Sequence, residues 1–246
     1  MLQRKQRHFR SRFVDNEEDL LAAQKLRFTC FNGGNEGVDI DAWDATSQHV
    51  LISDVETDQV VATFRFQIFR DGTNINQSYS AAFYDLGGLA TFDQPLMELG
   101  RFCISDLVVD PNVMRLAWSE ITKLVDIHGI EMMFGCSSFQ GTDPRPYADS
   151  FAWLKERHQG PQKWLPKAKV SKIVSFANET QRRELNLKLA LQNLPSLLRT
   201  YLTMGGWVSD HAVVDDMMNT LHVFTGVEIS KIPESRKRLL RTDASS

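Results

Sequence analysis

The sequence lacks the segments that would anchor the chain in a membrane or direct it out of the cell. No apolar stretch approaches the roughly 20 residues that cross a bilayer. The basic residues near the N-terminus are not followed by the apolar core of a signal peptide. These absences predict a cytoplasmic protein, and any contact that it makes with the inner membrane is expected to be peripheral.

Cysteine and histidine are scarce and scattered. The three cysteines, Cys30, Cys103 and Cys136, form no CxxC pair, and the six histidines show no spacing typical of metal ligands. Cys136 stands in an apolar run, which favours a packed, unreactive thiol over a nucleophile, because reactivity needs a lowered thiol pKa. The sequence therefore predicts neither a disulfide framework nor a metal site.

Well-known catalytic motifs are missing as well. The chain has no GxSxG nucleophile elbow, no HExxH, no phosphate-binding lysine loop and no dinucleotide-binding glycine pattern. A net charge of -3 gives no overall attraction to nucleic acid, and none is expected as a partner. Two basic clusters, within residues 4–12 and 236–241, are where an acidic partner could bind.

What the sequence does contain is an alternation of helical and strand patterns. With 42% apolar and 24% charged residues, its 246 residues suffice for one large core. A turn at 56–58 joins two early strands as an antiparallel hairpin, which favours a mixed α/β sheet over a parallel one. The pattern predicts helices at 16–28, 80–89, 113–127, 147–157 and 194–204, and strands at 49–53, 60–66, 97–104, 130–134 and 221–229.

The most unusual strand is the one that contains Glu98-Leu99-Gly100-Arg101-Phe102. Two charged groups in an otherwise apolar strand are costly to bury unless they are paired or used. Gly100 stands where a β-bulge could form. Glu98 and Arg101 are therefore either a structural ion pair or part of an active site.

Four more charged residues stand in similar surroundings. Arg27 lies near the end of the first helix, and Arg65 interrupts an apolar strand. Asp41 and Asp44 flank Trp43 in a glycine-rich loop. Each has an ordinary explanation: a helix-dipole partner, an edge-facing arginine, or a surface turn. The two aspartates could also form an acidic pocket for an amine.

These motifs resemble those of the ornithine lipid synthases, which are acyl-carrier-protein-dependent ornithine N-acyltransferases. The resemblance is carried by 98–102, the FGCSSFQGTD run at 134–143, the DAWD loop at 41–44, the strand residues 63–65 and the late run 194–202. It covers roughly residues 14–232. It implies a GNAT-like acyltransferase fold, an α/β fold with a mixed central sheet flanked by helices. It leaves 1–13 as a basic N-terminal segment and 233–246 as a basic C-terminal tail.

The family is similar in turn to the acyl-homoserine-lactone synthases. These share an arginine and a phenylalanine in the first helix, a DxxD loop, a strand arginine and an ExxR strand. The resemblance implies Glu98 and Arg101 as catalytic residues. It implies a substrate-binding set of Arg27, Phe28, Asp41, Asp44, Arg65, Phe102, Ser137 and Ser138.

The implied reaction moves a (3-hydroxy)fatty acyl group onto the α-amine of L-ornithine, which gives lyso-ornithine lipid. Glu98 would be the general base, because burial favours proton uptake by a carboxylate. Arg101 would orient Glu98 or bind the substrate carboxylate. Asp41 and Asp44 would hold the amine or order their loop, which Arg27 and Arg65 would stabilise. Backbone N–H groups near Gly100 or Phe102 could stabilise the oxyanion.

No resident cofactor or metal is expected, and the acyl donor would be acyl carrier protein with its 4'-phosphopantetheine arm. Ordinary GNAT enzymes bind the coenzyme A diphosphate at a glycine-rich turn. The equivalent stretch here, Val109 to Arg115, has no glycine. An acidic carrier protein could contact Arg115 and the N-terminal basic run.

Three alternatives stay open. The same chemistry with glutamine as acceptor would give lyso-glutamine lipid. An acyl-homoserine-lactone synthase is disfavoured, because the C-terminal half matches the lipid enzymes. A non-catalytic module that binds carrier protein is disfavoured by the presence of both ExxR charges and both loop aspartates.

Overall fold

The computed structural model describes residues 8–34, 36–179 and 185–244, and these form strands and helices in alternation. The strands are β1 Phe9–Phe13, β2 Gln48–Asp54, β3 Val60–Phe69, β4 Tyr84–Asp85, β5 Leu96–Ile104, β6 Met132–Gln140, β7 Lys167–Ala168, β8 Ile173–Ser175, β9 Trp207–Val208, β10 His211–Asp215 and β11 Thr220–Glu228. The helices are α1 Glu17–Asn32, α2 Pro111–His128, α3 Ala148–His158, α4 Phe176–Glu179, α5 Leu187–Gln192, α6 Ser196–Thr203 and α7 Glu234–Ala244.

The chain divides into two compact units. The first comprises the described residues of 1–67, 99–129 and 235–246. Its strands follow the order β1-β2-β3-β5, with β2 antiparallel to both β1 and β3. The antiparallel hairpin expected between residues 49 and 66 is thereby confirmed. Helix α1 contacts β2, and α2 contacts β1 and β2.

The second unit comprises the described residues of 68–98 and 130–234. Its strands follow the order β5-β6-β11-β10-β8, β9 also pairs with β11, and β4 pairs separately with β7. Strands β5 and β6 are parallel, whereas β6 and β11 are antiparallel along nine residue pairs. The mixed α/β sheet expected from the sequence is therefore confirmed. The aromatic rings of Tyr84, Phe134 and Phe224 are buried in one apolar cluster of this unit.

Side-chain caps and left-handed residues fix where the two long helices begin and end. The Asn16 side chain accepts the Asp19 N–H at the start of α1, and Gly33 ends that helix with a φ of +71°. Asp110 caps α2 in the same way through the Asn112 N–H, and Gly129 ends it with a φ of +58°. The predicted start of α1 and both predicted ends of α2 are close to the observed ones, whereas α1 continues to Asn32, beyond its predicted end at residue 28.

Strand β5 carries a backbone irregularity at its charged residues. Arg101 has a φ of +51°, a left-handed conformation that costs a residue with a Cβ on the order of 1 kcal/mol. Residues Leu96 to Glu98 pair with β6, and just beyond the strand Ser105 N–H bonds Val61 O of β3. The irregularity that the sequence indicated is present, but the left-handed residue is Arg101 and not Gly100.

Several sequence expectations need correction. The helix predicted at 80–89 is absent: single 3-10 turns cover Ser80–Ala82 and Leu89–Thr91, and β4 lies between them. The reason is tertiary, because the buried Tyr84 donates its hydroxyl proton to the His222 carbonyl oxygen at 2.8 Å. Strands β1 and β10 and helix α7 were not predicted, because charges interrupt the apolar pattern of β1 and α7.

The domain boundaries expected at residues 13 and 233 stay predictions. Arg4, Lys5 and Arg7 of the N-terminal basic run lie outside the described residues, whereas Arg10 and Arg12 belong to β1. Among the described residues, none of the helices combines the length and the apolar character needed to cross a bilayer.

Candidate active site

The most prominent polar feature of the first unit is a closed ring of three arginines and three aspartates. Each arginine forms ion pairs with two of the aspartates, so that charges of opposite sign alternate around the ring. Helix α1, the loop before β2, and strands β3 and β5 contribute its members. In ring order they are Arg27, Asp39, Arg101, Asp41, Arg65 and Asp44.

Asp44 lies between two buried arginines. Arg27 donates from Nη1 to Asp44 Oδ1 at 2.8 Å and from Nη2 to Asp44 Oδ2 at 2.9 Å. Arg65 Nη1 donates to Asp44 Oδ1 at 2.6 Å, and Gln24 Nε2 donates to Oδ2 at 3.0 Å. Four donors thus fill this carboxylate, which favours loop ordering over amine binding for Asp44.

Arg101 closes the ring from β5. Its Nε donates to Asp39 Oδ2 at 2.9 Å, and its Nη2 lies 2.9 Å from Asp41 Oδ2. Arg27 Nε donates to the same Asp39 oxygen at 2.7 Å, and Arg65 Nη2 donates to Asp41 Oδ2 at 2.8 Å. The ion pairs of Arg101 explain why a non-glycine residue keeps its left-handed backbone. Its expected action on Glu98 or on a substrate carboxylate stays a prediction.

The electrostatics of the ring keep Asp41 and Asp44 ionised. Burial alone would raise the pKa of Asp44, but its hydrogen bonds and the charge of Arg27 outweigh burial and hold that pKa well below the ordinary value. The pKa of Asp41 is lowered in the same way, against burial, by Arg65 and then Arg101. Burial lowers the pKa of the adjacent His49, which therefore adds no charge near neutral pH. The ring is neutral as a whole.

Phe28 organises the glycine-rich loop that carries the three aspartates. A Cβ added at Gly37 would lie 2.5 Å from the Phe28 ring, and one added at Gly34 would lie 3.1 Å from it. Gly37 also has a φ of +148°, which residues with a side chain rarely adopt. The loop therefore needs glycine where the ring packs against it. Substrate binding by Phe28 stays a prediction.

Glu98 belongs to the second unit and is 6% exposed. Its Oε2 accepts the Tyr79 N–H at 2.8 Å, and its Oε1 accepts the Ser80 N–H at 2.7 Å and the Ser80 hydroxyl at 2.6 Å. The carboxylate thereby caps the 3-10 turn at Ser80–Ala82. These donors favour the ionised form, which is the form that a general base requires.

The other sequence candidates differ in their surroundings. In the first unit, Phe102 is half-buried and its ring stacks on Phe64 at a centroid distance of 5.9 Å. In the second unit, Ser137 is buried and accepts the Thr225 hydroxyl at 2.9 Å, whereas Ser138 is exposed. Ser137 is therefore engaged within the sheet, and Ser138 is open to a ligand.

Sequence reasoning missed Asp39 and Ser80 as members of these clusters. Asp39 stands between Val38 and Ile40 in a loop without periodicity. Its ion pairs with Arg27 and Arg101 form only in the folded protein. Ser80 fell within a segment taken for a helix. The sequence signal that could have indicated Asp39 is that it stands in the same loop as Asp41 and Asp44, as a third aspartate close to them.

No metal site is evident in the described part of the chain, where no group of three or more His, Cys, Asp or Glu side chains could hold an ion. A cavity of about 480 Å³ lies in the second unit, among residues that include Lys163, Lys167, Asp210 and His211. None of the site residues expected from the sequence lines that cavity.

Comparison with known proteins relates about nine-tenths of the chain to acyltransferases. The model of the acetyltransferase (GNAT) domain matches residues 26–119. The L-ornithine N(alpha)-acyltransferase of Rhodobacter capsulatus is 28% identical over 241 residues, which cover 92% of this chain and 92% of that protein. The enzyme of the same name from Rhizobium meliloti is 29% identical over 239 residues, 90% of this chain and 80% of that protein. The resemblance indicated by the motifs is thereby confirmed.

Solved structures support the same fold at much lower sequence identity. An N-acyl amino acid synthase from uncultured soil microbes aligns with a TM-score of 0.56 and 8% identity, over 94% of this chain and 99% of that chain. A CoA-dependent acyl-homoserine lactone synthase aligns with a TM-score of 0.50 and 10% identity, over 96% of each chain. At such identity the likeness shows the fold alone, and it confirms the GNAT-like acyltransferase fold.

Proposed function

We propose that this chain, an N-acyltransferase, joins a fatty acyl group to the α-amine of L-ornithine and so forms lyso-ornithine lipid. The acceptor is inferred from relatives that are named for it and that align over nine-tenths of the chain. The reaction is thioester aminolysis, in which a C–N bond replaces a C–S bond. It needs a base for the nitrogen and stabilisation of the carbonyl oxygen, but no covalent intermediate with the enzyme.

The observation that carries the proposal is that Glu98 is buried and that its carboxylate accepts three hydrogen bonds. A carboxylate held by three donors has a fixed position, and proton transfer depends on such fixed positions. This glutamate lies in the part of β5 that pairs with β6, from Leu96 to Glu98, which gives it a rigid support. We assign to Glu98 the role of general base.

The ion-pair ring supports the reaction by ordering the loop at 36–47. Arg27, Arg65 and Arg101 bind aspartates of that loop from three different elements, so the loop is tied to α1, β3 and β5. Direct contact of the ring with ornithine is confined in this proposal to Asp41 and Arg101, two of its three half-buried members. Asp44 and Arg27 act through the loop.

The donor in this proposal is acyl carrier protein, and its fatty acyl group carries or lacks a 3-hydroxyl. The N-terminus of α2 has no glycine turn, and its Asp110 carboxylate already accepts the Asn112 N–H. A coenzyme A diphosphate would meet a like charge there, and a single phosphate on pantetheine would meet less repulsion. We place the reaction in the cytoplasm, with the amphiphilic product released toward the inner membrane.

The test is amide formation by the purified protein, followed by mass spectrometry. Fatty acyl groups with and without a 3-hydroxyl are supplied on carrier protein or on coenzyme A, together with ornithine, glutamine, lysine or homoserine. N-acyl ornithine from the carrier-protein donor is the expected product. N-acyl glutamine as the main product would correct the acceptor, and preference for coenzyme A would correct the donor. Absence of any amide would overturn the proposal.

A further inference from the structure

Glu98 is enclosed, and a proton from substrate therefore needs a route to it. Both carboxylate oxygens accept hydrogen bonds, from the Tyr79 N–H on Oε2 and from the Ser80 N–H and hydroxyl on Oε1. A backbone N–H stabilises a carboxylate but does not give up its proton, whereas a hydroxyl can pass a proton on. The Ser80 hydroxyl is therefore a contact through which Glu98 can exchange a proton.

The Ser80 hydroxyl continues to a third group. Its Oγ lies 3.6 Å from Cys136 Sγ, a separation within the range of hydrogen bonds to sulfur. Ser80 has one hydroxyl proton, which is directed at Glu98, so the Cys136 thiol is the donor to Ser80 Oγ at rest. Ser80 is fully buried and Cys136 is partly exposed. The chain of hydrogen bonds thus runs from an enclosed carboxylate to the thiol of a partly exposed residue.

We propose that Ser80 and Cys136 form a reversible proton relay between Glu98 and the reacting thioester, with the Cys136 thiol as the end that touches substrate. The proposal rests on the proposed function, in which Glu98 is the general base. When nitrogen gives a proton to Cys136 Sγ, the thiol proton moves to Ser80 Oγ and the hydroxyl proton moves to Glu98. After this transfer, the proton on Glu98 is directed at Ser80, the proton on Ser80 at Cys136 and the proton on Cys136 at substrate. The relay can therefore run in reverse.

The relay carries one of the two protons that leave the nitrogen. The ammonium first loses a proton to solvent, and the neutral amine attacks the carbonyl carbon to form the C–N bond. When the C–S bond breaks, its electron pair stays on sulfur. The second nitrogen proton enters at Cys136 and returns from Cys136 to the leaving thiolate. The products are an amide and a neutral thiol, Glu98 is again ionised, and Cys136 never bonds to the acyl group.

The test compares two acyl donors whose thiols differ in acidity. A carrier-protein thioester releases a basic alkyl thiolate that needs a proton, whereas an aryl thioester releases a thiolate that is stable without one. Cys136→Ala is expected to slow amide formation on the order of 10²-fold with the carrier-protein donor. It should slow the aryl thioester reaction, corrected for the reaction without enzyme, to a clearly smaller extent, because the nitrogen proton must still be removed but the leaving thiolate needs no proton. Cys136→Ser keeps a hydroxyl in the chain and should recover part of the lost rate.

Cys30→Ala is the matched control, because Cys30 belongs to the first unit and its thiol donates to the Ile104 carbonyl oxygen, which is not a member of the relay, so both rates should stay as they were. Equal losses with the two donors in Cys136→Ala would mean a structural role, and no loss would mean that Glu98 meets substrate directly. Either result overturns the relay, while amide formation by the unaltered protein upholds the proposed function. If the unaltered protein forms no amide, both fail.

A solvent deuterium isotope effect on the carrier-protein reaction gives a second measure that does not depend on the aryl donor. A relay moves several protons together, so the effect should be larger in the unaltered protein than in Cys136→Ala. Ser80→Ala, which removes the middle of the chain, should show the same decrease. Equal isotope effects in all three proteins contradict the relay.

Discussion

The Arg27 guanidinium and the Asp44 carboxylate form a two-point ion pair, with Nη1–Oδ1 and Nη2–Oδ2 distances of 2.8 and 2.9 Å. Both side chains are almost completely buried. A buried pair is costly to desolvate, and its two members therefore depend on each other. This dependence makes the ring sensitive to the loss of any one charge.

Asp44→Asn is expected to destabilise the protein by about 3 kcal/mol, because it leaves the buried Arg27 without its two-point partner. The measurement is the free energy of unfolding in urea. Arg10→Ala is the control: it removes an exposed ion pair with Asp58 and should change that free energy by less than about 1 kcal/mol. Equal effects of the two substitutions would contradict a structural role for the ring.

Arg101→Gly is expected to be more stable than Arg101→Ala by about 1 kcal/mol, because only glycine adopts the left-handed backbone without strain. Both variants lose the ion pairs with Asp39 and Asp41, so the comparison isolates the backbone. Thermal unfolding of the two variants measures the difference. In a regular strand alanine is more stabilising than glycine. If Arg101→Ala proved more stable than Arg101→Gly, β5 would not need a left-handed residue at position 101.

Glu98→Gln is expected to lower the rate of amide formation on the order of 10²–10⁴-fold, because an amide cannot take up the proton. The substitution also weakens the cap on the turn at Ser80–Ala82, since one carboxylate oxygen becomes an NH₂ group. Unfolding temperature and far-ultraviolet circular dichroism are therefore measured together with the rate. A variant that folds normally and retains a near-normal rate would remove Glu98 from the mechanism.

His222 should make the protein less stable as the pH falls from about 6.5 to about 4. Burial lowers the pKa of its imidazole to about 4, so in this window the unfolded chain binds a proton that the folded protein does not. The lowered pKa corresponds to a loss of about 3 kcal/mol across the window. His49 and His158, whose pKa values are also lowered by burial, add to the same trend.

The measurement is the urea unfolding free energy at several pH values, for the unaltered protein and for His222→Gln. The slope between pH 4 and 6.5 should decrease in the variant. The aspartates with lowered pKa values, Asp41 and Asp44, lose their stabilising effect only at lower pH, as the pH falls through their folded-state pKa values. An unchanged slope would mean that His222 is already protonated in the folded protein.

Local patterns were enough to predict the helices with strong caps and the strands with apolar runs. Asn16 and Gly33 mark α1 through contacts within a few residues, and Asp110 and Gly129 mark α2 in the same way. The segment from Ser80 to Leu89 was misjudged because its conformation depends on partners far along the chain. A single sequence contains no record of such long-range contacts.

The sequence predicted individual site residues but not which of them contact one another. The motifs drew attention to Arg27, Arg65 and Arg101, but their pairing with three loop aspartates required the fold. The apolar neighbours of Cys136 in the sequence predict a packed thiol, and Cys136 does pack against the buried apolar cluster of the second unit. Its nearness to Ser80, 56 positions earlier, is a property of the folded chain alone.

The equal number of positive and negative members in the ring affects how these positions can vary. Replacing one member by a neutral residue leaves one unpaired charge inside the protein. Replacing two adjacent members of opposite sign leaves a row of four ion-paired side chains whose net charge is still zero. A pair of well-packed apolar residues in place of Arg27 and Asp44 would leave Asp39, Arg101, Asp41 and Arg65 in balance. Substitutions at these six positions should therefore be tolerated in couples, and a second change should rescue a first.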